Sequence, residues 1–194
     1  MKNNKDRFFF PEEWMKFEDA LKPKQKHSCK ILLNTGARHM EASNIKVSDI
    51  FFHPDQSRIT LRITKCKAKK GEKKGKQRMI PISKQFAKYL QNYIKENKLK
   101  DDDYLNVLSR FALNICMKKA AEKVGLQEPG DFSPHNLRKT LETWLVALNV
   151  DGLKLAVHFG HDVMTAAKSY VSADAFTWEE KKQMRQIIGD LYER

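Results

Sequence analysis

Apolar residues recur along most of this chain at the spacing of helices that bury one face. In FFFPEEWMKFEDALKP, Trp14, Phe17 and Leu21 fall three and four positions apart. Pro11 suits a first helical turn, and Glu12 and Glu13 complement the positive end of the helix dipole. Pro23 then punctuates the pattern. HSCKILLNTGAR and HMEASNIKVSDI read as two helical pieces around Gly36, carrying Ile31, Leu32 and Leu33 inward and leaving Arg38 near a helix start. The period changes to two in RITLRITKCK, where Ile59, Leu61 and Ile63 alternate with polar residues as in a half-buried strand. RMIPIS reads as the return strand of a hairpin, with Pro81 at its end or on an edge, since proline donates no ladder hydrogen bond. Helical spacing then holds to the end. SKQFAKYLQNYIKENK carries Phe86, Leu90 and Ile94, and SRFALNICMKKAAEKVG stops at Gly125. SPHNLRKTLETWLVALNV, the stretch HFGHDVMTAAKSY and a charged helix from about Trp178 follow. The pattern predicts a mostly α domain with one small antiparallel sheet, an α+β fold without repeats or a long linker.

Composition narrows the partner. The chain has 194 residues, enough for one good-sized domain, and its 41% apolar content supports a core and excludes wholesale disorder. A formal net charge of +13 favours a polyanion, with nucleic acid ahead of an anionic membrane surface. No apolar run approaches the roughly 20 residues of a membrane span. The polar start MKNNKDR is no signal peptide. Cys29, Cys66 and Cys116 are scattered and odd in number, which fits a reducing cytosol and argues against a disulfide framework or a zinc ribbon. A cytoplasmic nucleic-acid-binding domain is expected.

The candidate chemistry lies in four stretches. From Lys65 to Arg78 stand eight lysines or arginines against one acid, Glu72. This run is either a solvated hairpin tip or a finger that reaches phosphates and releases counterions. NTGARHMEA sets Arg38 two residues after Gly36 and three before Glu41. SPHNLRKT sets His135 and Arg138 on one helix face. HFGHDVMTAAKSY sets His161 nine residues before Tyr170. Singly, each has a plain structural explanation: an i,i+3 ion pair, a histidine in a first helical turn, a core tyrosine. All of those explanations must hold at once to account for the ordered set.

Together the four stretches resemble the catalytic domain of the tyrosine recombinases, the integrases of phages, viruses and plasmids and the Xer-type enzymes. The matching residues are Thr35, Gly36, Arg38 and Glu41, then His135, Leu137 and Arg138, then Gly160, His161 and Tyr170. The likeness runs from about residue 8 to about residue 175. It implies the DNA breaking-rejoining fold and a 3′-phosphotyrosyl intermediate formed by Tyr170, without metal, ATP or other cofactor. Arg38 and Arg138 are then the phosphate ligands, His135 and His161 donate to the same oxygens or assist proton movement to and from Tyr170, Glu41 supports Arg38, and a hairpin lysine protonates the leaving 5′-oxygen. The physical logic agrees. Two permanently charged guanidiniums suit a pentavalent phosphorane, and a phenol titrating near ~10 attacks only where positive charge stabilises it.

Counting forward from LRIT selects Lys65 as the acid, and counting back from RMIPI selects Lys73; Lys67 lies two along from Lys65. Lys65 is preferred because a strand end is more rigid than a tip. Lys67, Lys69, Lys70, Lys73, Lys74, Lys76, Arg78 and Lys139 are the expected DNA contacts. His158, where relatives carry leucine, is expected in the core rather than on zinc. Lys139 replaces a histidine common in the family, and Glu142 is an unusual acid on the His135 helix. Residues 1–194 are expected to be a single C-terminal catalytic domain, lacking the helical N-terminal clamp of relatives and therefore weak and salt-sensitive on DNA. The last apolar stripe, Met184, Ile187, Ile188 and Leu191, either packs on its own domain or docks on a neighbouring protomer, as in relatives. The partners implied are duplex DNA at a specific site and further copies of the chain. Other readings are a type IB topoisomerase-like cleavage, an inactive DNA-binding module of the same fold, and a metal-dependent nuclease.

Overall fold

The structure, a computed structural model, describes residues 7–62, 77–160 and 175–192. Eight α-helices occur among them: α1 Pro11–Asp19, α2 Pro23–Thr35, α3 His39–Ser43, α4 Lys84–Glu96, α5 Arg110–Lys123, α6 Pro134–Ala147, α7 Gly152–Phe159 and α8 Trp178–Ile188. Three antiparallel strands, β1 Ile50–Phe51, β2 Arg58–Arg62 and β3 Gln77–Pro81, form a sheet in the order β1-β2-β3. Pro23 does not merely end a segment but opens α2 as its first residue, where its missing N–H costs nothing. The helix expected across residues 39–50 is shorter than the sequence suggests. It ends at Ser43, and a 3₁₀ turn at Val47–Asp49 leads into β1, because Asp49 accepts from the Lys46 amide and binds Arg62 of β2 through both carboxylate oxygens.

Helix α6 is the axis of the core. Leu137, Leu141, Trp144 and Leu145 are fully buried, and the helix packs against α2, α5, α7 and α8. Phe9 clamps the chain start to it: its amide donates to Thr140 Oγ1 at 2.9 Å, and its carbonyl accepts from Trp144 Nε1 at 2.9 Å. Helix α8 buries Met184 and Ile188 against α1 and α6, with Leu191 just beyond, so the C-terminal stripe packs on its own domain. The sheet's inner face carries Ile50, Ile59, Leu61 and Ile80, while Phe51 and Met79 point outward. Arg78 pairs with Leu61 on that inner face, two residues before Ile80. Pro81 ends β3 on the sheet's edge, where its missing donor is tolerated. Cys29 and Cys116 are free, buried thiols.

Candidate active site

Gly36 begins the site. It ends α2 at φ +57°, a left-handed conformation, and any Cβ there would collide with the Phe159 ring. The turn delivers Arg38 as the residue that caps α3, with its side chain about one-third exposed. Helix α6 starts at Pro134 behind a capping box in which the Ser133 amide donates to Asn136 Oδ1. His135 is therefore exposed in the first turn, and Arg138 follows one turn later, only 3% exposed. Arg138 donates from Nη1 to Gly36 O at 2.7 Å and from Nη2 to Phe159 O at 2.6 Å. One guanidinium thus bridges the turn after α2 and the end of α7. Burial, then the nearby charges of Arg38 and Arg78, lower its pKa to about 10, partly offset by Glu41 and Glu142, so it remains protonated at neutral pH.

Arg38, His135 and Arg138 line one cavity of about 350 Å³, together with His39, Met40 and Arg110. Three arginines on a single opening make it a natural anion site. A larger cavity, about 850 Å³ beside His27, Tyr89 and Tyr93, has Lys24 as its single cation. Charge rather than volume identifies the site. Arg110 and His39 were not singled out in the sequence. Arg110 is exposed at the first position of α5, and an arginine following a capping serine, Ser109, was the available signal. His39 is fixed by the Leu108 carbonyl, which accepts from its Nε2 at 2.8 Å.

Glu41, fully buried, sits behind the cavity. Its carboxylate accepts from the Arg38 amide at 2.9 Å and from Arg38 Nη1 at 3.0 Å. It also takes both terminal nitrogens of Arg78, at 3.0 and 2.8 Å. Burial alone raises the Glu41 pKa, but the Arg78 hydrogen bond, the Arg38 amide and the Arg78 charge outweigh it, and the net shift is downward. The expectation that Arg78 reaches DNA is corrected here. Its position on the inner face of β3 buries the side chain to 7% exposure and commits it to Glu41 and to the His158 carbonyl. Lys139 is half-buried on α6, outside the cavity lining among the described residues.

His158 is a core residue. Its Nε2 faces the Thr35 carbonyl, which can only accept, so Nε2 carries the proton and Nδ1 accepts from the Tyr192 hydroxyl at 2.9 Å. Desolvation lowers its pKa to about 3, so it is neutral and not a switch near pH 7. Lys65, Lys67, Lys69, Lys70, Lys73, Lys74, Lys76, His161 and Tyr170 lie outside the described residues. Gly160, in the left-handed conformation at φ +61°, ends α7 immediately before His161.

The chain matches the phage integrase family over residues 11–175, and it belongs to that family. It is 30% identical over 170 residues to the tyrosine recombinase XerA of Pyrococcus horikoshii, covering 83% of this chain and 54% of the relative. It is 28% identical over 157 residues to the tyrosine recombinase XerD of Corynebacterium glutamicum, covering 75% and 47%. The chain thus spans about half the length of these curated relatives. Among solved structures it resembles a XerA recombinase (TM-score 0.65, 20% identical, 93% of this chain and 64% of that one). It also resembles the catalytic domain of bacteriophage HP1 integrase (TM-score 0.61, 19% identical, 96% of each chain). The fold is that of tyrosine recombinase catalytic domains.

Proposed function

We propose that this chain cuts and rejoins duplex DNA as the catalytic domain of a site-specific tyrosine recombinase. The observation that carries the reading is the convergence of Arg38, His135 and Arg138 on one cavity, in a chain that supplies Tyr170 at the family spacing. Tyr170 Oη attacks the phosphorus, a 3′-phosphotyrosyl bond forms, and the bond from phosphorus to the 5′-oxygen breaks. The departing oxygen takes a proton from Lys65, and the phenol proton leaves through a histidine or water. Arg38 and Arg138 hold the non-bridging oxygens, whose charge grows in the transition state, and His135 and His161 donate to the same atoms. Glu41 holds Arg38 without neutralising the cavity, because Arg78 shares its charge. The bond energy is retained in the tyrosyl ester, so rejoining is the same step reversed. The lysines from Lys67 to Lys76 and Lys139 are read as phosphate contacts. Assembly of several copies on two sites turns strand cleavage into recombination in the cytoplasm or nucleoid. DNA is the natural partner: relatives of this fold include XerH bound to its difH substrate and the Tn1549 integrase in complex with transposon right end DNA. No helix among the described residues is long and apolar enough to cross a membrane.

The test is covalent trapping from a pool of nicked duplexes with randomised sequence around the nick, in EDTA. An SDS-resistant adduct from wild type but not from Tyr170→Phe is expected, and sequencing the trapped DNA gives the site. A 5′-bridging phosphorothiolate in the recovered site should restore cleavage to Lys65→Ala, because a thiolate leaves without an acid. DNA binding with no adduct from the whole pool contradicts the proposal.

A further inference from the structure

Among the described residues Arg78 is a buried cation that touches no reacting atom in the proposed step, yet its contacts reach both Glu41 and the end of α7. Its guanidinium takes Glu41 in a two-point fork, 3.0 Å from Nη1 and 2.8 Å from Nη2, while Nε donates to the His158 carbonyl at 3.0 Å. Glu41 and Arg78 are 0% and 7% exposed, so neither water nor salt competes for the pair. The same two oxygens also accept from Arg38, one from its side chain and one from its amide. The carbonyl after His158 belongs to Phe159 and accepts from Arg138. Two arginines therefore cap the last carbonyls of α7, where the helix dipole is negative. Gly160 lies against the Arg78 side chain, and a Cβ there would meet its Cδ at 3.4 Å.

The geometry points to Arg78 as a positioning residue for strand cleavage. It fixes Arg38 through Glu41, and it fixes the end of α7 through His158 O, from which the chain runs directly to His161. It does so from β3, the strand that leaves the lysine-rich segment. One side chain of β3 thus holds both a phosphate-binding arginine and the last turn of α7. An arginine is required because a lysine ammonium offers no planar fork and cannot serve Glu41 and the His158 carbonyl together. The inference rests on the cleavage reading and assigns Arg78 no contact with DNA.

The experiment compares wild type, Arg78→Lys and the charge-removing pair Arg78→Gln/Glu41→Gln, on the nicked duplex recovered by trapping. Three quantities are read for each: the cooperative thermal melt, duplex affinity across a salt series, and the single-turnover rate of adduct formation. Arg78→Lys is expected to melt cooperatively and to bind with unchanged affinity and salt slope, while the adduct rate falls roughly 10- to 100-fold. Arg38→Ala added to Arg78→Lys should cost less than Arg38→Ala alone, since both act through one arrangement. In Arg78→Gln/Glu41→Gln, a weakened affinity with a salt slope reduced by about one is instead the mark of a phosphate contact, and it overturns the inference. So does an unchanged adduct rate in Arg78→Lys, or unfolding of both variants, which makes the pair purely structural. Absence of any wild-type adduct overturns the cleavage reading itself and this inference with it.

Discussion

At the scale of single residues, the site depends on where each arginine's remaining donors go. Arg138 donates to two carbonyls, Gly36 O and Phe159 O, before any phosphate arrives. It is a fixed donor, not a swinging one. Arg138→Lys keeps a charge but cannot span both carbonyls. The expected outcome is a single-turnover cleavage rate lower by about 10²- to 10³-fold, the scale of losing one transition-state donor, with duplex affinity nearly unchanged. Equal losses in affinity and rate contradict this. His158 makes a different prediction, about acid. Unfolded, its imidazole takes up a proton near the ordinary 6.5; folded, it does so only near 3. Between those values the unfolded chain binds more protons, so stability falls as pH drops through that window. His158 alone contributes a slope of up to about 1.4 kcal/mol per pH unit. Denaturant titrations across that range should show a shallower acid loss in His158→Gln than in wild type. Parallel pH curves assign the acid sensitivity to other groups, Glu41 among them, whose pKa is lowered on folding so that its contribution is lost as pH falls from the ordinary carboxylate value through the folded one.

At the scale of elements, the long amphipathic helices were readable because periodicity accumulates over many residues. Helices α1, α4, α5 and α6 follow from spacing and caps alone, such as Ser83 accepting from the Phe86 amide at the start of α4. What escaped is short. Strand β1 has two residues, too few for a period, and α3 starts where the sequence places it but stops at Ser43, the residues after it being set by tertiary partners such as Asp49 with Arg62. Arg78 was misread for a related reason. A run of eight basic residues reads as one solvated patch, yet Arg78, Ile80 and Ile82 alternate inward with Gln77 and Met79 outward. Its own strand's period held the answer. Gly36, by contrast, was placed correctly at the break between two helices. Its conformation and its contact with Phe159 make Gly36→Ala costly twice, through strain at positive φ and through overpacking. A loss of about 2 kcal/mol or more is expected from the denaturant midpoint, together with a slower adduct rate, since the Gly36 carbonyl holds Arg138. A neutral Gly36→Ala contradicts the close approach.

At the scale of the molecule, a net charge of +13 sits on a fold whose buried cations are already paired. On the proposed reading, DNA is met by the exposed cations and the lysines between residues 65 and 76. Duplex affinity should therefore fall steeply with salt, and replacing Lys69, Lys70, Lys73 and Lys74 by glutamine should reduce the log–log slope by about 0.9 for each phosphate no longer neutralised. An unchanged slope assigns DNA binding to another surface. Arg38, His135 and Arg138 are legible in sequence as parts of two separate motifs, and they meet because α6 packs between α2 and α7. Arg110 joins them through packing alone, from a helix whose sequence carries no comparable motif. The central claim is that this assembled charge serves a tyrosine nucleophile. The most direct measurement digests the EDTA-trapped adduct with nuclease and protease and locates the residual nucleotide mass by tandem mass spectrometry. The account predicts a nucleotide on the peptide containing Tyr170, esterified through its 3′-phosphate. A nucleotide on any other residue, or a 5′-phosphate linkage, contradicts it.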